Sequence, residues 1–310
     1  MASMQGIAMD ADERELVRAS MRHTLATSSP ADATAALLAD GWTDLVAADP
    51  AAAITLLAEE AGRARSAVPV ADLAMLWGAG IEADATSAVV VDGLLQAGAE
   101  RASRFVVVAT DGITAHDAAT SATVAVGGFD PALALRRVTA LGHAAEVLGD
   151  AAAAARAIAA GRRALATQMI GAVDQMLADT VAHVTDRHQY GRAIGSFQSV
   201  KHRLADVRVA ATAARSGTAA AWETGDAVSA IAAKCLAGRA QQLASTHCFQ
   251  VHGGIAFTVE HGFQQWVRRG LLLDLLLGGH EQLTTELGRR LLDGGRVPRV
   301  PSLHGAPTKG

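Results

Sequence analysis

The segment DRHQYGRAIGSFQSVKHRLADV, residues 186–207, interrupts a long alanine-rich helical pattern and then restarts one. Before it, apolar residues recur every three or four positions over 165–184, and after it a second stripe of this kind runs over 200–214. A third stripe over 228–251 stops at the His-Gly-Gly of residues 252–254, which is a glycine signal for the end of a helix. Long helical patterns joined by short links predict an antiparallel helix bundle.

The chain divides by pattern into four parts, and the predicted fold class is mainly α. Residues 1–82 predict an N-terminal helical domain, 83–135 a reduced β region, 136–295 a C-terminal helical bundle, and 296–310 a disordered tail rich in Gly and Pro. The β region is predicted from short β-branched runs, each followed by Asp-Gly or Gly-Gly. These runs predict three or four strands: SAVVVDG, RFVVVATDG and ATVAVGG.

Composition limits the partners and the compartment that we expect. The formal net charge of −4 and a pI near 6.2 argue against nucleic acid as a partner. Cys235 and Cys248 are too few for a disulfide framework, which suits a reducing cytoplasm. The first residues lack the pattern of a signal peptide, and no apolar run reaches the length of about 18 residues that indicates a membrane span. We expect a soluble, cytoplasmic protein.

The opening segment also carries candidate binding residues. The guanidinium of Arg187 suits a diphosphate, because its planar fork donates paired hydrogen bonds to two oxygens. The amide of Gln198 offers both a donor and an acceptor, as recognition of an adenine edge requires. A purely structural interpretation competes with this one: Arg187 pairs with Asp186 or Asp206, and Gln198 is a solvated helix residue.

A second candidate is CFQVHGGIAFTVEH, residues 248–261. Gly253 and Gly254 follow a predicted helix, and two adjacent glycines let a ligand approach the backbone, whose N–H groups meet phosphate oxygens. The competing interpretation is a plain glycine cap of the helix.

The two segments together resemble the C-terminal domain of the acyl-CoA dehydrogenase family. That family has an arginine followed by a Gln-aromatic-Gly step, a Phe-Gln pair and a Leu-Ala-Asp, and later a Q-x-x-G-G element ahead of a glutamate. Both elements occur in this order in RHQYGRAIGSFQSVKHRLADV and FQVHGGIAFTVEHGFQQWVRRG. The resemblance implies a three-part fold of N-terminal helices, a middle β region and a C-terminal four-helix bundle.

The resemblance also implies FAD, shared across a subunit interface. Arg187 takes the position of the arginine that contacts the diphosphate of an FAD held mainly by the neighbouring subunit. Tyr190 replaces the commoner phenylalanine and retains a ring that can stack. The full set of implied FAD contacts is Arg187, Gln189, Tyr190, Gln198, Gln250, Gly253 and Gly254.

The chain departs from the family at the catalytic base, which in relatives is a carboxylate that removes the α-proton of an acyl-CoA thioester. The commoner position of that glutamate falls on Leu277, and the other known position falls at about Gly161. Neither residue accepts a proton. The region over 83–135 is also shorter than the family's β-domain.

These departures resemble the short, non-catalytic subunit of heterotetrameric (α2β2) acyl-CoA dehydrogenases. The resemblance implies a longer partner subunit that carries the catalytic glutamate, an acyl-CoA substrate and an electron-transfer flavoprotein as acceptor. Bulky, steroid-type acyl chains are associated with such assemblies.

Two alternatives remain open at this point. One is a self-sufficient homo-oligomeric dehydrogenase with a relocated base, for which Glu260 is the weak candidate. The other is a flavin-free scaffold subunit. We predict no metal site, because His280–Glu281 has no further ligand at suitable spacing. His252 is interpreted as a loop or cap residue, and Asp174 as a solvated helix residue.

Overall fold

The structure is a computed structural model, and it describes residues 9–29 and 32–294. The predicted tail, 296–310, lies outside these residues.

Within residues 9–29 and 32–82, five helices form the N-terminal part. A capping box opens the first helix: the Asp10 side chain accepts from the backbone of Glu13, whose side chain accepts from the backbone of Asp10. Asp49 caps the fourth helix, and Pro50 occupies its first turn. The helices are α1 (Ala11–Thr27), α2 (Ala33–Ala39), α3 (Trp42–Ala48), α4 (Pro50–Arg63) and α5 (Val70–Ala79).

Seven strands follow, in two small sheets. The strands are β1 (Ser87–Val90), β2 (Leu94–Leu95), β3 (Arg104–Ala109), β4 (Gly112–Asp117), β5 (Ala122–Ala125), β6 (Arg136–Ala140) and β7 (Ala144–Asp150). The first sheet has the order β1-β3-β4-β7, with β1 parallel to β3 and the other neighbours antiparallel. The second has the antiparallel order β2-β6-β5.

The prediction that the helical bundle begins at residue 136 is wrong, because β6 and β7 occupy 136–150. β7 has the sequence AAEVLGD and is mostly exposed, so neither a buried alternating pattern nor a β-branched run marks it as a strand. The strand count is likewise higher than the predicted three or four.

The C-terminal part is a helix bundle, as predicted. Its first helix is 36 residues long and begins at an N-cap formed by Asp150. The helices are α6 (Ala151–Asp186), α7 (Gln198–Thr224), α8 (Ala227–His252), α9 (Gln264–Leu275) and α10 (His280–Leu292). A two-stranded hairpin, β8 (His188–Gln189) and β9 (Arg192–Ala193), connects α6 to α7.

Helix α6 is the common axis of the molecule, since it packs against α4, α5, α7, α8 and α9 and meets the first sheet. Its contact with α4 is so close that it requires glycine. A Cβ at Gly62 would lie 2.1 Å from the backbone oxygen of Gln168, and one at Gly171 would lie 2.3 Å from that of Glu59. Buried alanines are frequent in the other contacts between helices, which explains how a chain with 4% aromatic residues builds a dense core.

Asp174 is not solvated, contrary to the interpretation from sequence. Its side chain is 9% exposed and pairs with Arg63 of α4 at 2.7 Å and with Arg215 of α7 at 2.5 Å. The helical pattern placed Asp174 off the apolar stripe of α6 but gave no sign that two neighbouring helices bring cations to it.

Within the described part of the chain, the helices are too short or too polar to cross a membrane.

Candidate functional site

The hairpin after α6 presents the first candidate residues. Arg187 is the C-cap of α6, in extended conformation, and its backbone N–H still donates to the oxygen of His183 at 2.9 Å. Tyr190 and Gly191 form the turn, both with positive φ, of 53° and 80°. Two successive positive φ values are the mark of the tight hairpin turn that matches strand twist. The turn holds Tyr190 outward, with 93% of its surface exposed.

The guanidinium of Arg187 is exposed, and among the residues that the structure describes it has no hydrogen-bond or ion-pair partner. The ion pair with Asp186 or Asp206, which the structural interpretation requires, is therefore not formed. Gln198 begins α7 with its side chain exposed. Gln189 is exposed as well, and its amide donates to the neighbouring backbone oxygen of His188 at 2.8 Å.

The second segment begins where α8 ends. Gly253 has φ 67° and ψ −147°, a conformation that side chains with a Cβ rarely adopt. A Cβ added at Gly253 or Gly254 would meet nothing within 4 Å, so the backbone here borders open space. Gln250, one turn earlier, is exposed. The glycine cap predicted from sequence is present, and it leaves room for a ligand beside it.

Imidazole contacts bring the two segments to the same end of the bundle. The rings of His183 on α6 and His252 on α8 have centroids 4.4 Å apart. Thr180, one turn before His183, lies 3.2 Å from Nε2 of His252. Since Arg187 is one turn after His183 and Gly253 directly follows His252, the arginine segment and the glycine segment are neighbours.

The donors at this end fit the diphosphate and adenine of FAD. The guanidinium of Arg187 is exposed and has no partner among the described residues, and the amides of Gln198 and Gln250 are exposed. At Gly253 a ligand can approach the backbone closely. Tyr190 and Phe197 add a pair of edge-to-face rings 6.2 Å apart.

The two positions to which the resemblance assigns a catalytic carboxylate also meet, far from this end. Leu277 is 5% exposed and packs on Gly161 of α6, where a Cβ would lie 2.7 Å from its Cδ1 and 2.7 Å from Cγ of Met75. We name this contact of Met75, Gly161 and Leu277 the base locus. It is filled with apolar side chains.

Two cationic side chains near the base locus donate hydrogen bonds to backbone oxygens. Arg162 donates to the backbone oxygen of Leu277 at 3.0 Å. Lys234, fully buried, donates to the backbone oxygens of Asp274 at 2.6 Å and Gly278 at 3.2 Å. Burial lowers the pKa of Lys234 to about 8, and Asp274 partly opposes that effect.

Asp274 is the carboxylate nearest in sequence to Leu277, and its oxygens interact with two neighbouring side chains. Its Oδ2 lies 2.7 Å from Nδ1 of His280, and its Oδ1 lies 3.6 Å from Nζ of Lys234. These bonds hold the turn that connects α9 to α10.

Glu260 is at the wrong end of the molecule for a base at the base locus. It is exposed and directly precedes His261, whose ring lies 6.3 Å from that of His183. At 1.5 Å per residue, His183 and Gly161 are separated by about 33 Å along α6. Glu260 therefore belongs to the surroundings of Arg187 and Gly253.

Two residues of this end were not foreseen from sequence. His183 and His261 lie on different elements from His252, and the structure brings all three together. No spacing rule for metal ligands covers such distant positions. Burial and the two neighbouring imidazoles lower the pKa of His252 to about 4, so its ring is neutral near pH 7.

The fold is that of the acyl-CoA dehydrogenases, as comparison with solved structures shows. The Tcur3481-Tcur3483 steroid ACAD variant superimposes with a TM-score of 0.74 at 20% identity, over 91% of this chain and 98% of that chain. The ChsE4-ChsE5 complex from Mycobacterium tuberculosis gives a TM-score of 0.70 at 16% identity, over 96% of this chain and 100% of that chain.

Sequence comparison gives a family match for the C-terminal part of the chain. Residues 149–292 match the family model described as acyl-CoA dehydrogenase, C-terminal domain. The acyl-CoA dehydrogenase IpdE2 of Mycolicibacterium smegmatis is 40% identical over 114 residues, which are 37% of this chain and 37% of that protein. The match thus spans about a third of the length of this curated relative. FAD is the cofactor of the family.

Proposed function

We propose that this chain is a subunit of a heteromeric, FAD-dependent acyl-CoA dehydrogenase that contributes contacts to FAD across a subunit interface. A longer partner subunit supplies the catalytic carboxylate in an α2β2 assembly. The alternative with Glu260 as a relocated base has no observation in its favour, because Glu260 is remote from the base locus.

The observation that carries the proposal is the contrast between the two ends of α6. At one end, the side chains of Arg187 and Gln198 are exposed, and the backbone at Gly253 borders open space. At the other, Gly161 and Leu277 fill the base locus with apolar contacts. A chain that has binding groups at one end but no proton acceptor at the base locus depends on another chain for the chemistry.

FAD, when bound, provides the acceptor for the hydride that leaves the β-carbon of the acyl-CoA. The role of this chain is to hold that cofactor. The guanidinium of Arg187 offsets the charge of the diphosphate, Gln189 and Gln198 face the adenine and ribose, and Tyr190 offers a stacking surface. Gln250, Gly253 and Gly254 line the same end from the α8 side.

Proteins of the same fold support the substrate class and the further partners that we propose. One solved relative is a steroid ACAD and another is a two-component complex, which supports a bulky, steroid-type acyl-CoA substrate and a heteromeric assembly for this chain. The acceptor we propose is an electron-transfer flavoprotein, and the compartment is the cytoplasm, where the free thiols Cys235 and Cys248 stay reduced.

Co-expression tests the assembly. The chain is produced alone and together with a longer acyl-CoA dehydrogenase that carries the glutamate, and flavin absorbance and stoichiometry are measured. We expect the chain alone to hold no flavin and the co-purified complex to be yellow and active. A yellow homo-oligomer that oxidises acyl-CoA without a partner would overturn the proposal.

The substitution Arg187→Ala in the complex tests the cofactor contact. Loss of a charge-assisted hydrogen bond costs about 1.5–3 kcal/mol, so the affinity for FAD should fall at least about tenfold. The matched control is Arg289→Ala, which removes an exposed arginine of α10. Unchanged affinity in the Arg187 variant would favour the flavin-free scaffold.

A further inference from the structure

Three histidines from three separate elements meet beside the candidate FAD-contact end. His183 comes from α6, His252 ends α8, and His261 lies in the turn before α9. One nitrogen atom of each ring lies within 4.8 Å of the corresponding atoms of the other two. Their rings also pack on each other, with centroids 4.4 Å apart for His183 and His252 and 4.8 Å apart for His252 and His261.

The hydrogen bonds of His252 determine which of its nitrogens is free. The hydroxyl of Thr180 donates to the backbone oxygen of Met176 at 2.6 Å. That hydroxyl has a single hydrogen, so at 3.2 Å it accepts a hydrogen bond from Nε2–H of His252. Nδ1 of His252 therefore carries a lone pair. It is buried and has no partner among the described residues, in a side chain that is 6% exposed.

His261 contributes a second nitrogen of this kind. Its Nδ1 is buried and, within the part of the chain that the structure describes, has no hydrogen-bond partner. A buried polar nitrogen without a partner costs roughly 1–3 kcal/mol, and two such nitrogens in one cluster require an explanation. Phe263 stacks on His252 with centroids 4.3 Å apart and excludes water from one side.

We propose that His183, His252 and His261 bind a divalent transition-metal ion of the zinc type. Neutral imidazole is a preferred ligand of such ions, and three imidazoles leave the fourth position of a tetrahedron for water or another small ligand. Zn–N bonds of about 2.05 Å place tetrahedral ligand atoms about 3.4 Å apart. The separation of the nitrogen atoms must shrink by up to about 1.4 Å on binding, which ring rotations can supply.

The bond from His252 to Thr180 serves the metal site as well. A ligating histidine almost always donates its other ring N–H to an oxygen, and that bond fixes the ring orientation and the tautomer. Thr180 is fully buried and is held by Met176, so it presents its oxygen rigidly. The neighbouring apolar cluster, which includes Cys248, Ala256 and Phe263, shields this side of the histidines from bulk solvent.

A metal in this position ties together the ends of α6 and α8 and the turn that carries His261. Arg187 lies one turn beyond His183, and Gly253 follows His252. The ion thus stabilises the arrangement in which the arginine segment and the glycine segment are neighbours, and it does so whether or not FAD is present.

Zinc titration of the full chain, without FAD or a partner, tests the site. After treatment with chelator, Zn²⁺ is titrated by calorimetry, and Co²⁺ is added separately to record visible absorption. We expect one equivalent of Zn²⁺ bound, an increase in melting temperature, and the intense Co²⁺ bands of four-coordinate geometry. Because no flavin is involved, the result is independent of the outcome of the Arg187 test.

Variants decide whether the bound ion sits on this cluster. His183→Gln and His261→Gln should each weaken Zn²⁺ binding at least tenfold and abolish the increase in melting temperature, while circular dichroism confirms that both fold. His202→Gln, at an exposed position of α7, is the control and should bind as the unaltered chain does. Absence of stoichiometric Zn²⁺, or binding that survives both cluster variants, would overturn the proposal.

Discussion

Leu277 packs directly on Gly161, so close that a Cβ at the glycine would lie 2.7 Å from Cδ1 of the leucine. By resemblance, these are the two alternative positions of the catalytic carboxylate in the family. They are distant in sequence, and the fold makes them a single locus. A carboxylate at either position would reach the same space, and this chain has filled that space with Leu277 and Met75.

Leu277→Ala tests whether the base locus is core or pocket. Removing a buried leucine leaves a cavity and costs about 2–5 kcal/mol of unfolding free energy, and Leu277 is 5% exposed. In the assembled enzyme we expect kcat and KM to stay within twofold at temperatures where the variant is folded. Denaturant unfolding and steady-state kinetics measure the two effects. The control is Leu292→Ala, at an exposed helix end.

A different pattern would contradict this view of the locus. If Leu277→Ala changed acyl-chain preference or KM while leaving stability intact, Leu277 would line a substrate pocket instead of a packed core.

Glu260→Gln should leave turnover of the complex within twofold. Glu260 is exposed and directly precedes His261, whose ring lies 6.3 Å from that of His183. His183 is about 33 Å along α6 from Gly161 of the base locus, too far for proton abstraction there. Steady-state kinetics of the complex across pH measure the effect, with Glu281→Gln as the exposed control. A fall in kcat of a hundredfold or more, with FAD content unchanged, would establish a relocated base.

Gly171→Ala should destabilise the chain by about 2 kcal/mol or more, although alanine favours helices. The gain in helix propensity is about 1 kcal/mol. The added Cβ would lie 2.3 Å from the backbone oxygen of Glu59, so α4 and α6 must separate. Gly288→Ala is the matched control: it lies inside α10 with nothing within 4 Å of its Cβ position, and it should stabilise. Urea unfolding of both variants measures the difference, and equal shifts would refute the close contact.

Much of the bundle could be predicted from sequence, because three- and four-residue apolar periodicity survives even when alanine replaces larger side chains. The strands β6 and β7 could not. They are short and largely exposed, and alanine-containing segments such as AAEVLGD carry helical propensity. Pairing with β4 and β5, a tertiary effect, makes them strands.

Some residues of the candidate site could be predicted from sequence and others could not. Arg187 and Gly253 belong to contiguous segments with a characteristic order of residues, so resemblance identifies them. His183, His252 and His261 belong to no shared segment, and their meeting depends on where α6 and α8 end. Asp174 shows the same limit, since its partners Arg63 and Arg215 come from other helices.

Asp72 should make stability fall as the pH rises from about 4 to about 7. It is buried on α5, where it accepts hydrogen bonds from the side chain of Gln96 and from the backbone N–H of Val89 at 3.4 Å. Burial raises the pKa of Asp72 to about 7 from an ordinary 3.8, and the two hydrogen bonds oppose that rise. Between these values the unfolded chain loses its proton while the folded chain keeps it. The free energy of unfolding therefore decreases with pH over this range, by at most about 4 kcal/mol.

Asp72→Asn removes the titrating group and keeps a neutral side chain of the same shape, since the amide of Gln96 can turn its oxygen toward the new donor. We expect the variant to become more stable relative to the unaltered chain as the pH rises from 5 to 8. Chemical denaturation at several pH values measures it, with Glu223→Gln at the exposed end of α7 as control. A difference that stays constant with pH would mean that Asp72 is ionised throughout, held as an anion by the bonds from Gln96 and Val89.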